Sequence, residues 1–154
     1  MMLEELQEEI NIELELMGTT VSEVLLLLND LSDREPTIRE KTAAAAFIAQ
    51  FYGGVENILK RIHRYYGIPM PIGDSWHIEI FKRFCNPPLS NLPLLFDYSL
   101  AADLAPFRKF RHVVHHGYGF QLEWERMQDG LQAVEDVHGR LIAVLTEYLQ
   151  KLPS

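Results

Sequence analysis

The feature that most constrains the fold is a regular series of apolar residues in the first 31 positions. Apolar side chains recur every three or four residues, at Leu3, Leu6, Ile10, Leu14, Met17, Val21, Val24, Leu28 and Leu31. This spacing places them on one side of an α-helix. The phase continues across Gly18, so the pattern predicts one nearly continuous helix with a bend near that glycine.

Four further segments have helical periodicity. The pattern predicts helices over about Pro36 to Tyr66, over the short segment WHIEIFKRF, over about Tyr98 to His116 and over about Glu123 to Leu149. Pro36 is acceptable in a first helical turn, and Asp74 or Ser75 can cap the short helix. No segment alternates like a strand for more than four residues. The sequence therefore predicts an all-α, up-and-down bundle of four to five helices in a single domain, residues 1–154.

The cellular compartment of the protein is predicted from sequence features that are absent. The single cysteine, Cys85, excludes an internal disulfide and is interpreted as a packed side chain. The N-terminus lacks the basic start of a signal peptide, and no apolar run reaches the length of a membrane span. We therefore expect a cytoplasmic protein with no membrane partner.

Charge is unevenly distributed along the chain. The net charge is −8, yet residues 1–33 hold nine acidic residues and neither lysine nor arginine. The segment 104–122 contains no acid and six basic or imidazole side chains, at Arg108, Lys109, Arg111, His112, His115 and His116. A local positive field attracts phosphate groups even when the whole chain is acidic.

The segment RHVVHHGYGF, residues 111–120, is the candidate reactive site. Arg111 and His115 lie one turn apart on the predicted helix, and His116 lies at its end beside Gly117. A guanidinium beside a titratable imidazole suits phosphodiester cleavage, because the first stabilises the phosphorane-like state and the second transfers protons near neutral pH. RNA supplies its own nucleophile in the 2′-hydroxyl, so such cleavage needs neither a metal ion nor a protein nucleophile.

The same segment is also compatible with roles that involve no catalysis. A cationic last turn complements the helix dipole without any function. His112 and His116 are four residues apart, but no carboxylate lies near them in sequence, and metal sites usually need three or more convergent ligands. The chain has no P-loop, dinucleotide fingerprint or zinc-type Cys/His spacing, so we predict no metal and no cofactor.

Residues 111–118 fit the pattern R-x-x-x-x-H-x-Y, with Arg111, His116 and Tyr118 in the specified positions. This pattern resembles the signature of the HEPN superfamily, and in particular of HepT-like toxins. The order of helices is similar as well: two long, one short, the motif helix and a closing helix. The resemblance implies a HEPN-like bundle that dimerises, so that two copies of the motif form one metal-independent RNA-cleaving cleft.

The resemblance also implies a role for each motif residue. Arg111 would position or stabilise the scissile phosphate, and His116 would be the acid/base residue. Tyr118 would match the tyrosine that a partner nucleotidyltransferase antitoxin adenylylates in HepT-like toxins. The adduct would add negative charge and bulk beside the cleft and so block RNA.

A second register of the motif pairs Arg108 with His115. We prefer Arg111 and His116 because only that register places the tyrosine correctly. His112 follows the arginine, where the superfamily commonly has a small polar residue, yet an imidazole still forms hydrogen bonds. His112, His115 and Arg108 are therefore supporting candidates.

Residues outside the motif are less informative. Lys60, Arg61, His63 and Arg64 form a second basic patch, which either guides the RNA backbone or is a solvated helix end. Glu56 can face the cleft from the second helix, but the sequence does not fix its orientation. Packing roles are favoured for three side chains, those of Trp76, His77 and His138.

Three functions are compatible with these observations. The first is a metal-independent endoribonuclease of the HepT-like toxin type, a homodimer that cleaves RNA and is controlled by a nucleotidyltransferase (MNT-type) antitoxin. The second is a non-catalytic nucleotide- or partner-binding subunit of a nucleotidyltransferase pair. The third is a coiled-coil-like dimerisation protein, suggested by the long apolar stripe of the first helix.

Overall fold

The computed structural model describes residues 1–89, 91–117 and 123–153, apart from the side chain of His116. Within these ranges it contains five helices and no strand: α1 Leu3–Asp30, α2 Ile38–Tyr66, α3 Trp76–Arg83, α4 Tyr98–His116 and α5 Trp124–Lys151. The prediction of an all-α helical bundle is confirmed. In this part of the chain no helix is both long and apolar enough to cross a membrane.

Short-range capping interactions set the helix ends. The Thr37 side chain accepts a hydrogen bond from the Glu40 backbone N–H at 3.2 Å, and the Glu40 carboxylate accepts one from the Thr37 N–H at 2.9 Å. This capping box starts α2 after Pro36, so the expectation of Pro36 in the first turn is wrong. Asp97 caps α4 by accepting from the Leu100 N–H at 2.8 Å.

The helix α2 is the centre of the bundle, since it packs against all four other helices. It runs antiparallel to α1, because Glu9 of α1 pairs with Arg64 near the end of α2 and Met17 lies against Gly54. The helices α4 and α5 are also antiparallel: Arg140 binds Asp103 near the start of α4, while Gly130 faces Phe107 further along.

The apolar stripe of α1 is buried inside this single chain. Its residues Leu6, Ile10, Met17 and Val24 have almost no exposed surface, because α2 and α5 cover them. Because these residues already pack inside one chain, they are not available for a coiled-coil contact between two chains. The structure therefore does not support the coiled-coil dimerisation hypothesis. The helix is continuous through Gly18, which packs beside the ring of a histidine on α5.

That histidine is His138, for which a core position was predicted. Its Nε2 lies 3.1 Å from the Leu14 carbonyl oxygen, and its ring lies edge-on to Phe51. A methyl group at Gly18 would lie 3.4 Å from the His138 ring. The packing interpretation of His138 is therefore confirmed, and the ring fills the space that Gly18 leaves between α1 and α5.

The acidic residues of α1 neutralise most of the second basic patch. Glu9 pairs with both Arg61 and Arg64, and Glu13 pairs with Arg61. Lys60 lies 4.6 Å from the ring centroid of Trp76. The ion pairs compensate the charges of Arg61 and Arg64, so this part of the patch is an interhelical contact.

The short helix α3 is held against the end of α2 by His63. This imidazole is fully buried, with Nδ1 at 2.9 Å from the Leu59 carbonyl oxygen and Nε2 at 3.1 Å from Arg83 Nη1. The ring also packs edge-on against Phe84. Nδ1 therefore carries the proton and Nε2 accepts from Arg83, which keeps the ring neutral.

We predict that Gly54→Ala destabilises the protein whereas Gly53→Ala does not. A methyl group at Gly54 would lie 2.5 Å from Met17 Cγ and 2.7 Å from Met17 Sδ, whereas at Gly53 the nearest atom, Arg111 Nε, would be 4.0 Å away. Overpacking costs about 1–3 kcal/mol, and replacing an unconstrained helical glycine by alanine gains up to about 1 kcal/mol. Urea unfolding of both variants measures the difference, and equal stabilities would contradict the close contact.

We predict that His63 makes the fold less stable in acid. Burial lowers the pKa of His63, with Arg83 adding to the effect, while the bond to the Leu59 carbonyl opposes it. Below about pH 6.5 the unfolded chain binds a proton at this site that the folded chain does not, so stability falls as pH drops towards the lowered pKa. One proton contributes a slope of at most about 1.4 kcal/mol per pH unit.

The measurement is the free energy of unfolding between pH 7.5 and 5 for the wild type and for His63→Gln. The variant should be less stable at pH 7.5, and the difference should narrow as the pH falls. His138→Gln is the matched control, because that ring is only partly buried. A difference that stays constant with pH would show that His63 is not kept neutral by the fold.

Candidate functional site

The motif helix α4 is oriented by a buried apolar stripe. Leu100, Leu104 and Phe107 are buried, and the Phe107 ring lies 5.3 Å from that of Phe51 on α2. The Asp97 cap starts the helix immediately before this stripe. With that face against the core, Arg108 and Arg111 project between α4 and α3.

A cavity of about 710 Å³ lies at this place. Its lining comes from α2, from α3 with the two residues before it, and from α4. The polar lining residues are Tyr52, Glu56, Asp74, Ser75, His77, Arg108, Lys109, Arg111, His112 and His115. Three cationic side chains outnumber the two carboxylates and three imidazoles add hydrogen-bonding groups, so the cavity suits an anionic ligand.

The centre of the cavity wall is the carboxylate of Glu56, which is 1% exposed. Arg111 Nε lies 2.8 Å from Oε1, and His77 Nδ1 lies 2.6 Å from Oε2. The Arg111 contact is an ion pair without an aligned hydrogen bond, since Oε1 accepts none among the described residues. One buried carboxylate thus holds a guanidinium from α4 and an imidazole from α3.

Two further side chains set the polarity of the inner wall. Tyr52 is fully buried, and its hydroxyl has no hydrogen-bond partner among the described residues. Burial, followed by the Glu56 carboxylate, raises the pKa of Tyr52 far above its usual range, so the phenol stays protonated. Arg108 lies with its guanidinium carbon 5.5 Å from the Phe81 ring centroid, a cation–π arrangement.

Residues 43–152 match the family model of the HepT-like protein. The chain belongs to the HepT-like family. The matched region includes most of α2 and all of α3, α4 and α5, so every lining residue of the cavity lies within it. No curated protein and no solved structure matches the chain.

The cavity of this HepT-like protein is lined by four of the six residues proposed from the motif. Arg111, Arg108, His112 and His115 all line it. His116 is the last residue of α4, and its side chain lies outside the described part of the structure. Tyr118 also lies outside the described residues, so its proposed position beside the cleft stays a prediction.

Three residues of the site had no functional assignment from the sequence. His77 was interpreted as packing, and its ring does lie 3.6 Å from that of Trp76, but it also lines the cavity. Tyr52 lies among the apolar residues of α2, and nothing in its local sequence distinguishes it from a packed side chain. The sequence does contain a signal for Glu56. This acid follows Tyr52 by four residues, on the buried side of α2, where a carboxylate requires a charged partner.

The single cysteine has no part in this site. The Cys85 thiol lies 3.4 Å from the Phe81 carbonyl oxygen, and burial raises its pKa, so it stays a protonated, packed side chain. Among residues 1–89, 91–117 and 123–153, no group of three or more His, Cys, Asp or Glu side chains is arranged to hold a metal ion.

We predict that the effects of replacing Arg111 and Glu56 on the free energy of unfolding are strongly coupled. Arg111→Met leaves the Glu56 carboxylate buried with only His77 as a partner, which costs about 3 kcal/mol. The double variant Arg111→Met, Glu56→Gln should recover part of this loss, because the uncompensated charge is then absent. Lys109→Met is the control: this exposed lysine lies on the same helix, and its replacement should change stability by less than about 0.5 kcal/mol.

A double-mutant cycle by chemical denaturation measures this coupling. Equal effects of Arg111→Met and Lys109→Met would show that the buried ion pair does not stabilise the fold.

Proposed function

We propose that this HepT-like protein is a metal-independent endoribonuclease of the toxin type, active as a homodimer. The observation that supports it is the position of Arg111: the arginine of the R-x-x-x-x-H-x-Y motif lies on the wall of a cationic cavity, anchored by a buried carboxylate. The family match supports the HepT-like toxin family, and the cationic and imidazole side chains of the cavity are of the kinds that RNA cleavage uses.

The reaction is a transesterification within the RNA. A base removes the 2′-hydroxyl proton, the 2′-oxygen forms a bond to phosphorus, and the bond from phosphorus to O5′ breaks. An acid then protonates O5′, so the products are a 2′,3′-cyclic phosphate end and a 5′-hydroxyl end. Arg111 would stabilise the negative charge on the phosphoryl oxygens, and His116 would transfer a proton.

The anchoring of Arg111 favours this role over a mobile surface charge. Its Nε faces Glu56, which leaves the terminal guanidinium nitrogens to donate to phosphate oxygens. Because the Glu56 contact limits the side-chain conformations, little entropy is lost when the phosphate binds. Arg108 and Lys109 add positive charge at the cavity wall, and this would steer the RNA backbone.

The homodimer places two motifs at one cleft in this proposal. Mixing Arg111→Ala chains with His116→Ala chains tests it. If each cleft uses Arg111 of one protomer with His116 of the other, mixed dimers regain part of the activity. Light scattering on the wild type gives the oligomeric state directly, and a monomer at micromolar concentration would contradict a stable dimer.

Control by an antitoxin is the regulatory part of the proposal. A partner nucleotidyltransferase would transfer adenylate to Tyr118, and the added phosphate would compete with RNA for the cationic cavity. Intact-mass measurement after incubation with the nucleotidyltransferase and ATP would detect the adduct, and Tyr118→Phe should abolish it.

We predict that the wild type cleaves RNA in the presence of excess chelator, and that Arg111→Ala and His116→Ala each lower the rate by about 100-fold or more. Arg126→Ala is the control, because it removes an exposed positive charge from α5, outside the cavity. Gel analysis of a labelled RNA gives the rates, and circular dichroism verifies the fold. Full cleavage by both motif variants would disprove the assignment.

The second candidate function is a non-catalytic subunit that binds a nucleotide or a nucleotidyltransferase. The size of the cavity favours it, since about 710 Å³ lies in the range of small-ligand sites. Titration calorimetry with ATP and with RNA separates the two functions. Tight ATP binding by a protein that does not cleave RNA would favour the binding subunit.

A further inference from the structure

The side chain of His77 is held by contacts on two sides. Its Nδ1 contacts the buried Glu56 carboxylate at 2.6 Å, and its ring lies against Trp76, tilted by 33°, with 3.6 Å between centroids. Trp76 is in turn covered by the Lys60 ammonium group. The carboxylate that holds the ring is itself 1% exposed, so it offers the imidazole a fixed partner. The arrangement therefore orients this ring towards the cavity that it lines.

The contacts determine which nitrogen of His77 carries a proton. Arg111 Nη1 lies 3.5 Å from the same Nδ1, too far for a strong bond, whereas Glu56 Oε2 lies at 2.6 Å. Two lone pairs cannot approach at 2.6 Å, so Nδ1 is protonated and donates to Glu56. Nε2 is then the nitrogen that gains and loses a proton, and in the neutral ring it is an acceptor.

We propose that His77 is the general base of this cavity, which removes the 2′-hydroxyl proton of an RNA substrate, and that Glu56 is its positioning residue. The inference rests on the proposed ribonuclease function and adds to the motif a residue from a different helix. Nε2 takes the proton while the 2′-oxygen bonds to phosphorus. The electron pair of the broken P–O5′ bond stays on O5′. This oxygen takes its proton from the acid, the role left to His116.

Glu56 is the reason that His77 suits the role of base. When Nε2 accepts a proton, the ring becomes an imidazolium, and the adjacent carboxylate stabilises that charge. Glu56 also holds Arg111, whose charge would stabilise the phosphoryl oxygens. One carboxylate therefore sets the distance between the proposed base and the group that binds the phosphate, with Arg111 Nη1 3.5 Å from His77 Nδ1.

Charged and titratable groups from the neighbouring elements line the same cavity as His77. From α2 these are Glu56 and the protonated Tyr52, and from the segment before α3 Asp74. From α4 they are Arg108, Lys109, Arg111, His112 and His115. The pH experiment therefore compares variants that differ only at His77 or Glu56.

The test is the pH–rate profile of RNA cleavage with chelator present, for wild type and for His77→Gln. Glutamine keeps an N–H that donates to Glu56 but cannot take the proton. We expect a rate at least about 100-fold lower and loss of the rising limb on the acidic side, where Nε2 must first lose its proton. His138→Gln, an identical change at the α1–α5 contact, should keep the wild-type profile.

A second substrate identifies the step that is lost. RNA with a 5′-bridging sulfur at the cleavage site has a leaving group that needs no acid. It should not restore the rate of His77→Gln, because the missing group is the base, whereas rescue by this substrate would overturn the assignment as base. Glu56→Gln should keep measurable activity but lower kcat, because His77 loses the carboxylate that positions it. A Glu56 with no positioning role would leave kcat unchanged in the folded variant.

Failure of the His77 assignment can be distinguished from failure of the proposed ribonuclease function. If the wild type cleaves RNA and His77→Gln, folded by circular dichroism, keeps the wild-type rate and profile, the role of His77 is wrong and the ribonuclease function stands. If the wild type itself does not cleave RNA, the proposed function fails and this inference fails with it.

Discussion

The buried carboxylate of Glu56 is the interaction on which the site depends. It lies on the central helix α2 and holds Arg111 of α4 and His77 of α3, so one charge links the three elements that line the cavity. A lone carboxylate at this depth would be strongly unfavourable, and its two partners remove that cost. The position of α3 is set at its other end by His63, which binds Arg83.

The acidic first helix has a structural role. Its apolar stripe packs on α2 and α5, while Glu9 and Glu13 neutralise Arg61 and Arg64 of α2. Close contact between Met17 and Gly54 brings the two helices near enough for these ion pairs. These acids are paired with α2 and do not contact the cationic side chains of α4 that line the cavity.

For a member of the HepT-like family, the geometry connects the motif to residues outside it. Arg111 is restrained by a carboxylate, and the ring beside it has one nitrogen committed to the same carboxylate. This is the arrangement expected of a site that pre-orients its groups before an anionic substrate binds. The motif on α4 supplies the arginine, whereas α2 and α3 orient it.

The sequence by itself determined the helices and the family. Apolar spacing of three and four residues predicted the five helices, because a helix that must bury one face can do so only with that period. Eight residues around Arg111 and His116 indicated the HepT-like family, which the match over residues 43–152 then showed. The tertiary structure alone decided which residues meet. His77 lies 21 positions from Glu56 and 34 from Arg111 along the chain, and their contact depends on how three helices pack. Local periodicity does not encode that packing, because the same apolar stripe permits several neighbouring helices.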